Sequence, residues 1–115
     1  MHTLWFTLRF VDSIQNEEII NNLFKSEFLM ATEKMSSNKV FSFGRDHGYH
    51  GRLLSHGIVA EQSLHIKDNI LTGYCFTPQD GNALLSSVAG TIQYYYKDNW
   101  KEKMKLFNRY IFKNI

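Results

Sequence analysis

The chain has 115 residues, of which 43% are hydrophobic and 21% charged, and its formal net charge is +2. This balance excludes a disordered chain and fits a single globular domain over residues 1–115 with one buried core. No run of apolar residues reaches the length of a membrane span and no signal peptide is visible, so we expect a soluble, cytoplasmic protein that does not contact membranes.

The first third of the chain predicts a strand, a helix and a second strand. Residues 3–11 alternate with a period of two, which is typical of a strand. Glu17 and Glu18 follow where a helix dipole favours acidic residues, and apolar residues then recur at helical spacing. We therefore predict a helix over about residues 14–35 and a short strand over 39–43.

The middle of the chain predicts a β-hairpin. Two strand-like segments, 58–67 and 70–77, flank the dipeptide Asp68-Asn69, which is typical of a two-residue hairpin turn. Such a turn pairs His65 with Thr72 and divides the side chains between two faces. One face then carries Leu64, Ile66, Leu71 and Cys75, and the other carries His65, Lys67, Thr72, Tyr74 and Phe76. The only cysteine is thus expected to be a buried apolar residue and not a nucleophile.

The last third of the chain predicts one or two C-terminal helices over about residues 82–113. A single helix of this length would measure ~45 Å, so we expect a break near Asp98-Asn99. A strand over residues 91–97 is an alternative, because several residues there have strand propensity. The whole order predicts an α+β fold, with a mostly antiparallel sheet of about four strands and the helices packed on one face.

Histidine and glycine are concentrated between Gly44 and Gly57, which contains three of the five histidines and four of the seven glycines. Histidines beside arginines can supply the base, the acid and the phosphate clamp of a metal-independent ribonuclease or phosphoesterase. The catalytic residues of such an enzyme would be His47, His50, His56, Arg45 and Arg52. Their spacing is not diagnostic of a metal site, a phosphate loop or a triad, so we expect no metal or cofactor and favour binding over catalysis.

Aromatic residues make up 15% of the chain, which favours a surface that faces a partner. The candidates for exposed rings are Trp5, Tyr49, Tyr74, Phe76 and the run 94–96. The predicted binding residues are Asp46, Tyr49, His65, Tyr74, Phe76, Tyr94 and Tyr95. By elimination, we predict a protein-binding module, namely an inhibitor or immunity protein that neutralises a toxin or other effector of bacterial or phage origin.

Nucleic-acid binding is a further alternative. Basic residues occur at intervals of four near the C-terminus and would line one side of the last helix. These residues are Lys97, Lys101, Lys105 and Arg109. An amphipathic helix whose lysines face water gives the same pattern. Exposed hairpin edges also allow a homodimer formed by strand pairing.

Overall fold

A computed structural model of the chain describes residues 1–12, 16–26, 29–47 and 55–110. Its strands are β1 (His2–Arg9), β2 (Leu29–Thr32), β3 (Gly57–Ala60), β4 (His65–Lys67) and β5 (Ile70–Thr77). Its α-helices are α1 (Asn16–Lys25), α2 (Ser37–Asp46), α3 (Gln79–Tyr96) and α4 (Trp100–Met104). Segments of 3₁₀ helix cover Glu61–Ser63, Lys97–Asn99 and Lys105–Tyr110. The fold is α+β, as predicted.

The five strands form one mixed sheet in the order β1-β5-β3-β2, and β4 pairs with β5 as well. β5 is antiparallel to β1, β3 and β4, whereas β2 and β3 are parallel. Parallel neighbours need a crossover connection, and α2 lies in the connection between β2 and β3. β5 is therefore the central strand, and β1 lies at one edge of the sheet.

The predicted hairpin is confirmed between β4 and β5, where His65 opposes Thr72 and Lys67 opposes Ile70. The turn residues Asp68 and Asn69 have φ values of 49° and 62°. A two-residue hairpin turn of type I′ requires positive φ at both positions, and Asp and Asn tolerate positive φ well. The local sequence thus sets the register of the two strands.

The N-terminal helix is shorter than predicted. It ends at Lys25 instead of near residue 35, and β2 follows where the prediction continues the helix. Met30, Ala31 and Thr32 of β2 are all buried. A short strand that is buried on both faces lacks the alternation that would distinguish it from a helix.

The predicted strand over residues 39–43 is wrong, because these residues belong to α2. Val40 and Gly44 are the buried positions of this helix, and they are four residues apart, so they share one helical face. That face covers a core of buried residues from three strands and the helix. The core consists of Met30, Val40, Ile58, Ala60 and Phe76.

The C-terminal region is helical, and residues 91–96 belong to α3, not to a strand. The predicted break occurs at Lys97, which ends α3 with φ at 45°. Buried Leu85 of α3 and Met104 of α4 belong to one cluster, although a continuous helix would separate them by ~28 Å. The chain therefore folds back after Tyr96, and α4 packs against α3.

Candidate binding surface

One half of one sheet face is open to solvent. The pleat directs alternate side chains of β1, β5 and β4 to this side, and the registers place them beside one another. We call this surface the open face. Its residues are Trp5, Thr7, Arg9, His65, Lys67, Ile70, Thr72 and Tyr74. All of them are exposed or half-buried, so they are available to a partner.

The other half of the same sheet face is covered. Phe76 points to the same side of β5 as Tyr74, but it is only 2% exposed because it lies in the core that α2 closes. The expectation that Phe76 is an exposed ring is therefore wrong. Tyr74 lies beyond this core and keeps 38% of its surface exposed, as predicted.

An aromatic pair lies at one end of the open face, next to the part of the sheet that α2 covers. Trp5 opposes Tyr74 in the β1–β5 register, and the ring centroids lie 4.7 Å apart with the planes at 74°. This edge-to-face arrangement is a favourable geometry for aromatic rings. Trp5 is still 57% exposed, so the pair combines fixed geometry with a large accessible apolar surface.

Ser63, which no sequence pattern singles out, holds the backbone beneath this pair. The Tyr74 N–H donates to Ser63 Oγ at 2.8 Å, and Ser63 Oγ donates to the Ala60 carbonyl at 2.6 Å. The hydroxyl thus supplies the acceptor that Tyr74 lacks where the 3₁₀ turn 61–63 interrupts the neighbouring strands. The only sequence signal for this role is the position of Ser63 between two predicted strand segments.

The open face is electropositive. Arg9 and Lys67 both oppose Ile70, one from each side, and neither side chain is buried. The imidazole of His65 lies beside Thr72 in the next row. No member of the open face is a carboxylate, so the surface is complementary to an acidic partner.

The structure brings together only part of the predicted binding set. His65 and Tyr74 belong to the open face. Tyr94 and Tyr95 are 79% and 73% exposed and pack edge to face at 5.4 Å, but they lie on α3. Tyr49 lies outside the described residues. Asp46 ends α2 and pairs with Arg45, whose Nε donates to Asp46 Oδ1 at 2.9 Å.

The histidines of the glycine-rich segment have separate partners where the structure describes them. His47 follows the last residue of α2, where Nδ1 donates to the Phe43 carbonyl at 2.9 Å and the ring stacks on Phe43 at 4.1 Å. His56 precedes β3, and its Nε2 lies 3.2 Å from Ser86 Oγ of α3. Burial lowers the pKa of His56, which favours the neutral ring.

Two other members of the predicted catalytic set, His50 and Arg52, lie outside the described residues. Of the remaining three, His47 alone lines a shallow groove of about 410 Å³ along α2. The groove residues are Lys34, Asn38, Lys39, Ser42, Phe43, Asp46 and His47. Within the described ranges, no cluster of three metal-ligating side chains occurs.

The basic residues predicted to line the last helix do not share one α-helix. Lys97 lies at the break after α3, Lys101 in α4, and Lys105 and Arg109 in the following 3₁₀ segment. A 3₁₀ helix has about three residues per turn, so Lys105 and Arg109, four residues apart in such a segment, do not lie on one side of it. Two of them also engage neighbouring side chains: Lys105 pairs with Glu102 at 2.6 Å, and Arg109 lies over the Tyr110 ring at 4.7 Å.

Cys75 is less buried than the sequence predicts. It opposes Leu4 across the β1–β5 pair, on the sheet face opposite Tyr74. The thiol is half-buried, and burial raises its pKa. A raised pKa lowers the fraction of reactive thiolate near neutral pH.

Comparison of the chain with protein-family models, curated proteins and solved structures found no match. No helix within the described ranges is long and apolar enough to cross a bilayer. Function is therefore inferred from the geometry of the open face.

Proposed function

We propose that this protein is a binding module that holds another protein on its open face. The observation that carries the proposal is the exposed Trp5–Tyr74 pair, which lies on the same face of the sheet as Arg9. Trp, Tyr and Arg are the residue types that dominate binding hot spots in protein interfaces. The threonines around them supply small polar groups for the rim of such an interface.

The pair is ordered before any partner arrives. The edge-to-face packing restricts the two rings, and the Ser63 hydrogen bond holds the backbone of Tyr74. Docking would therefore immobilise fewer rotamers than it would on two isolated rings. Arg9 and Lys67, at the other end of the open face, attract an acidic patch to this surface. A partner with a carboxylate-rich surface beside an apolar pocket fits both features.

We further propose that binding serves to inhibit or neutralise that partner, in the manner of an immunity protein directed against a toxin or effector of bacterial or phage origin. A blocking protein needs a firm complementary surface and no catalytic group. The open face supplies such a surface. The two described histidines of the glycine-rich segment have separate partners, His47 the Phe43 carbonyl of α2 and His56 the Ser86 hydroxyl of α3.

The test is affinity capture followed by a binding measurement on the purified partner. The Tyr74→Ala variant should bind the partner at least ~30-fold more weakly, as expected for a hot-spot residue. Tyr94→Ala is the matched control, because Tyr94 is also exposed but lies on α3. Equal affinity of wild type and Tyr74→Ala would contradict the assignment of the open face.

Two further measurements separate the alternatives. Adding the protein to its purified partner should abolish the partner's activity at stoichiometric ratio, and full activity at saturation would refute the inhibitor role. Single-stranded RNA should show no binding that depends on Tyr74. Binding of RNA that falls steeply with salt and is lost in Tyr74→Ala would instead identify a nucleic-acid surface.

A further inference from the structure

The two edges of the sheet differ in length and exposure. β2, at one edge, has four residues, and three of them are buried. β1, at the other edge, has eight residues, and seven of them are exposed. Among the described strands, β1 pairs only with β5. Natural proteins protect long edges with proline, lysine or bulges, but β1 contains neither proline nor lysine and has its one arginine at the end.

The hydrogen-bonding groups on the outer side of β1 can be assigned by residue. The Phe10 N–H donates to the Asn69 carbonyl at 2.9 Å, continuing the register in which Arg9 opposes Ile70. In an antiparallel pair, hydrogen-bonded residues alternate with those whose N–H and C=O point away. Even-numbered residues of β1 therefore bond to β5. The outward-pointing backbone groups belong to Thr3, Trp5, Thr7 and Arg9.

We propose that a second copy of this chain covers this edge, with the two β1 strands antiparallel about a twofold axis at Phe6. The axis is perpendicular to the sheet and passes beside Phe6. Odd-numbered residues of one β1 strand therefore oppose odd-numbered residues of the other, and even-numbered residues oppose even-numbered ones. Thr3 then opposes Arg9 of the partner subunit, and Trp5 opposes Thr7 of the partner subunit. Counted from both copies, these pairs make about eight backbone hydrogen bonds and join the sheets into one.

The side chains of β1 are self-complementary in this register. Leu4 opposes Leu8 of the partner subunit, and Phe6 meets its own copy, so apolar side chains meet on the face opposite Trp5. Leu4 and Leu8 are 49% and 44% exposed in the single chain, and pairing removes part of that apolar surface from water. A twofold axis at Trp5 or at Thr7 would give only about six backbone hydrogen bonds between the two β1 strands. Neither axis would place Leu4 opposite Leu8 of the partner subunit.

The charges also fit a second copy. Arg9 is the only formally charged residue of β1, and the proposed register places the two arginines at opposite ends of the strand pair. Their Cα atoms would lie ~20 Å apart, six residues along the strand, so their repulsion is screened. The two Trp5 residues would have their Cα atoms ~8 Å apart, which makes the two open faces continuous.

Sedimentation equilibrium of the full chain between about 1 and 100 µM tests the proposal. The wild type should approach twice the chain mass of 13.5 kDa as concentration rises. Thr7→Pro removes one outward N–H and no bond to β5, so it should sediment as a folded monomer. Thr7→Val keeps the N–H and should remain dimeric. A monomeric wild type at every concentration, or a dimeric and folded Thr7→Pro, would overturn the proposal.

Two double variants test the same strand register if Thr7→Pro does not fold. Leu4→Lys with Leu8→Lys opposes like charges across the axis and should weaken the dimer at least ~10-fold relative to Leu4→Lys with Leu8→Glu. Equal dissociation constants for the two would exclude this register. The dimer does not depend on the proposed function: Tyr74→Ala should lose the partner protein and still dimerise.

Discussion

Trp5 and Tyr74 stand opposite each other on adjacent strands, with ring centroids 4.7 Å apart and planes at 74°, and both remain accessible to solvent. An exposed aromatic pair contributes less to stability than a buried one, because much of its apolar surface stays in water. It nevertheless presents a large, ordered apolar surface. This combination is the physical basis for assigning the open face to binding.

The contribution of the pair to stability can be measured with a double-mutant cycle. Trp5→Ala, Tyr74→Ala and the double variant should show a favourable coupling of about 0.5–1 kcal/mol, as expected for cross-strand aromatic pairs. The measurement is urea unfolding at one fixed protein concentration. A coupling indistinguishable from zero would mean that the rings touch without stabilising the sheet.

Gly73 and Gly90 should respond oppositely to alanine. A Cβ at Gly73 would lie 2.9 Å from Leu64 Cδ2 and 2.9 Å from Phe6 Cζ, so Gly73→Ala should destabilise the protein by about 1–3 kcal/mol. Gly90 lies within α3, and apart from the adjacent residues and the backbone of its own helix nothing lies within 4 Å of the corresponding position, so Gly90→Ala should stabilise by about 0.5–1 kcal/mol. Chemical unfolding checks both signs, and a stable Gly73→Ala would disprove the close packing of Phe6 on β5.

The hairpin turn should prefer glycine at position 69. Asn69 has φ at 62°, a conformation that glycine adopts without steric cost, so Asn69→Gly should raise the free energy of unfolding by several tenths of a kcal/mol. Asn69→Val should lower it by about 1–2 kcal/mol, because a β-branched residue is strained there. Thermal denaturation of the two variants provides the measurement. A neutral valine substitution would be inconsistent with the left-handed turn.

His56 should make stability depend on pH. Burial lowers its pKa in the folded state, so below pH ~6.5 the unfolded chain binds the proton more readily than the folded one. Its contribution is fully present above pH ~6.5 and is lost as the pH falls through the folded-state pKa. His56→Gln should therefore reduce the loss of stability between about pH 7.5 and 5, as followed by urea midpoints. The exposed His65→Gln is the control, and an unchanged loss in His56→Gln would rule out His56 as its source.

Part of the fold could be predicted because its determinants are local. The alternation in residues 3–11 and the Asp68-Asn69 turn depend on neighbouring residues alone, and both predictions agree with the structure. The helix predicted over 14–35 included β2, and the strand predicted over 39–43 lies in α2. Short apolar runs fit either period, and tertiary burial decides between them.

The binding surface could also be predicted only in part. The alternation in β5 correctly places Tyr74 and Phe76 on one face, but it does not reveal that α2 covers only Phe76. The sequence does not indicate the role of Ser63 either, because its hydroxyl accepts a hydrogen bond from the backbone N–H of Tyr74, eleven residues further along the chain. Both facts depend on contacts between elements that are distant in sequence.

The local sequence is sufficient to predict the α+β class, the hairpin register and the parity of side chains along β1 and β5, because turn conformation and strand pleat are properties of adjacent residues. The local sequence does not predict that β5 lies between β1 and β3, that α2 covers half of one face or that β1 is an exposed edge. These features depend on which distant surfaces pack together. The alternation of a single strand carries no information on what covers it.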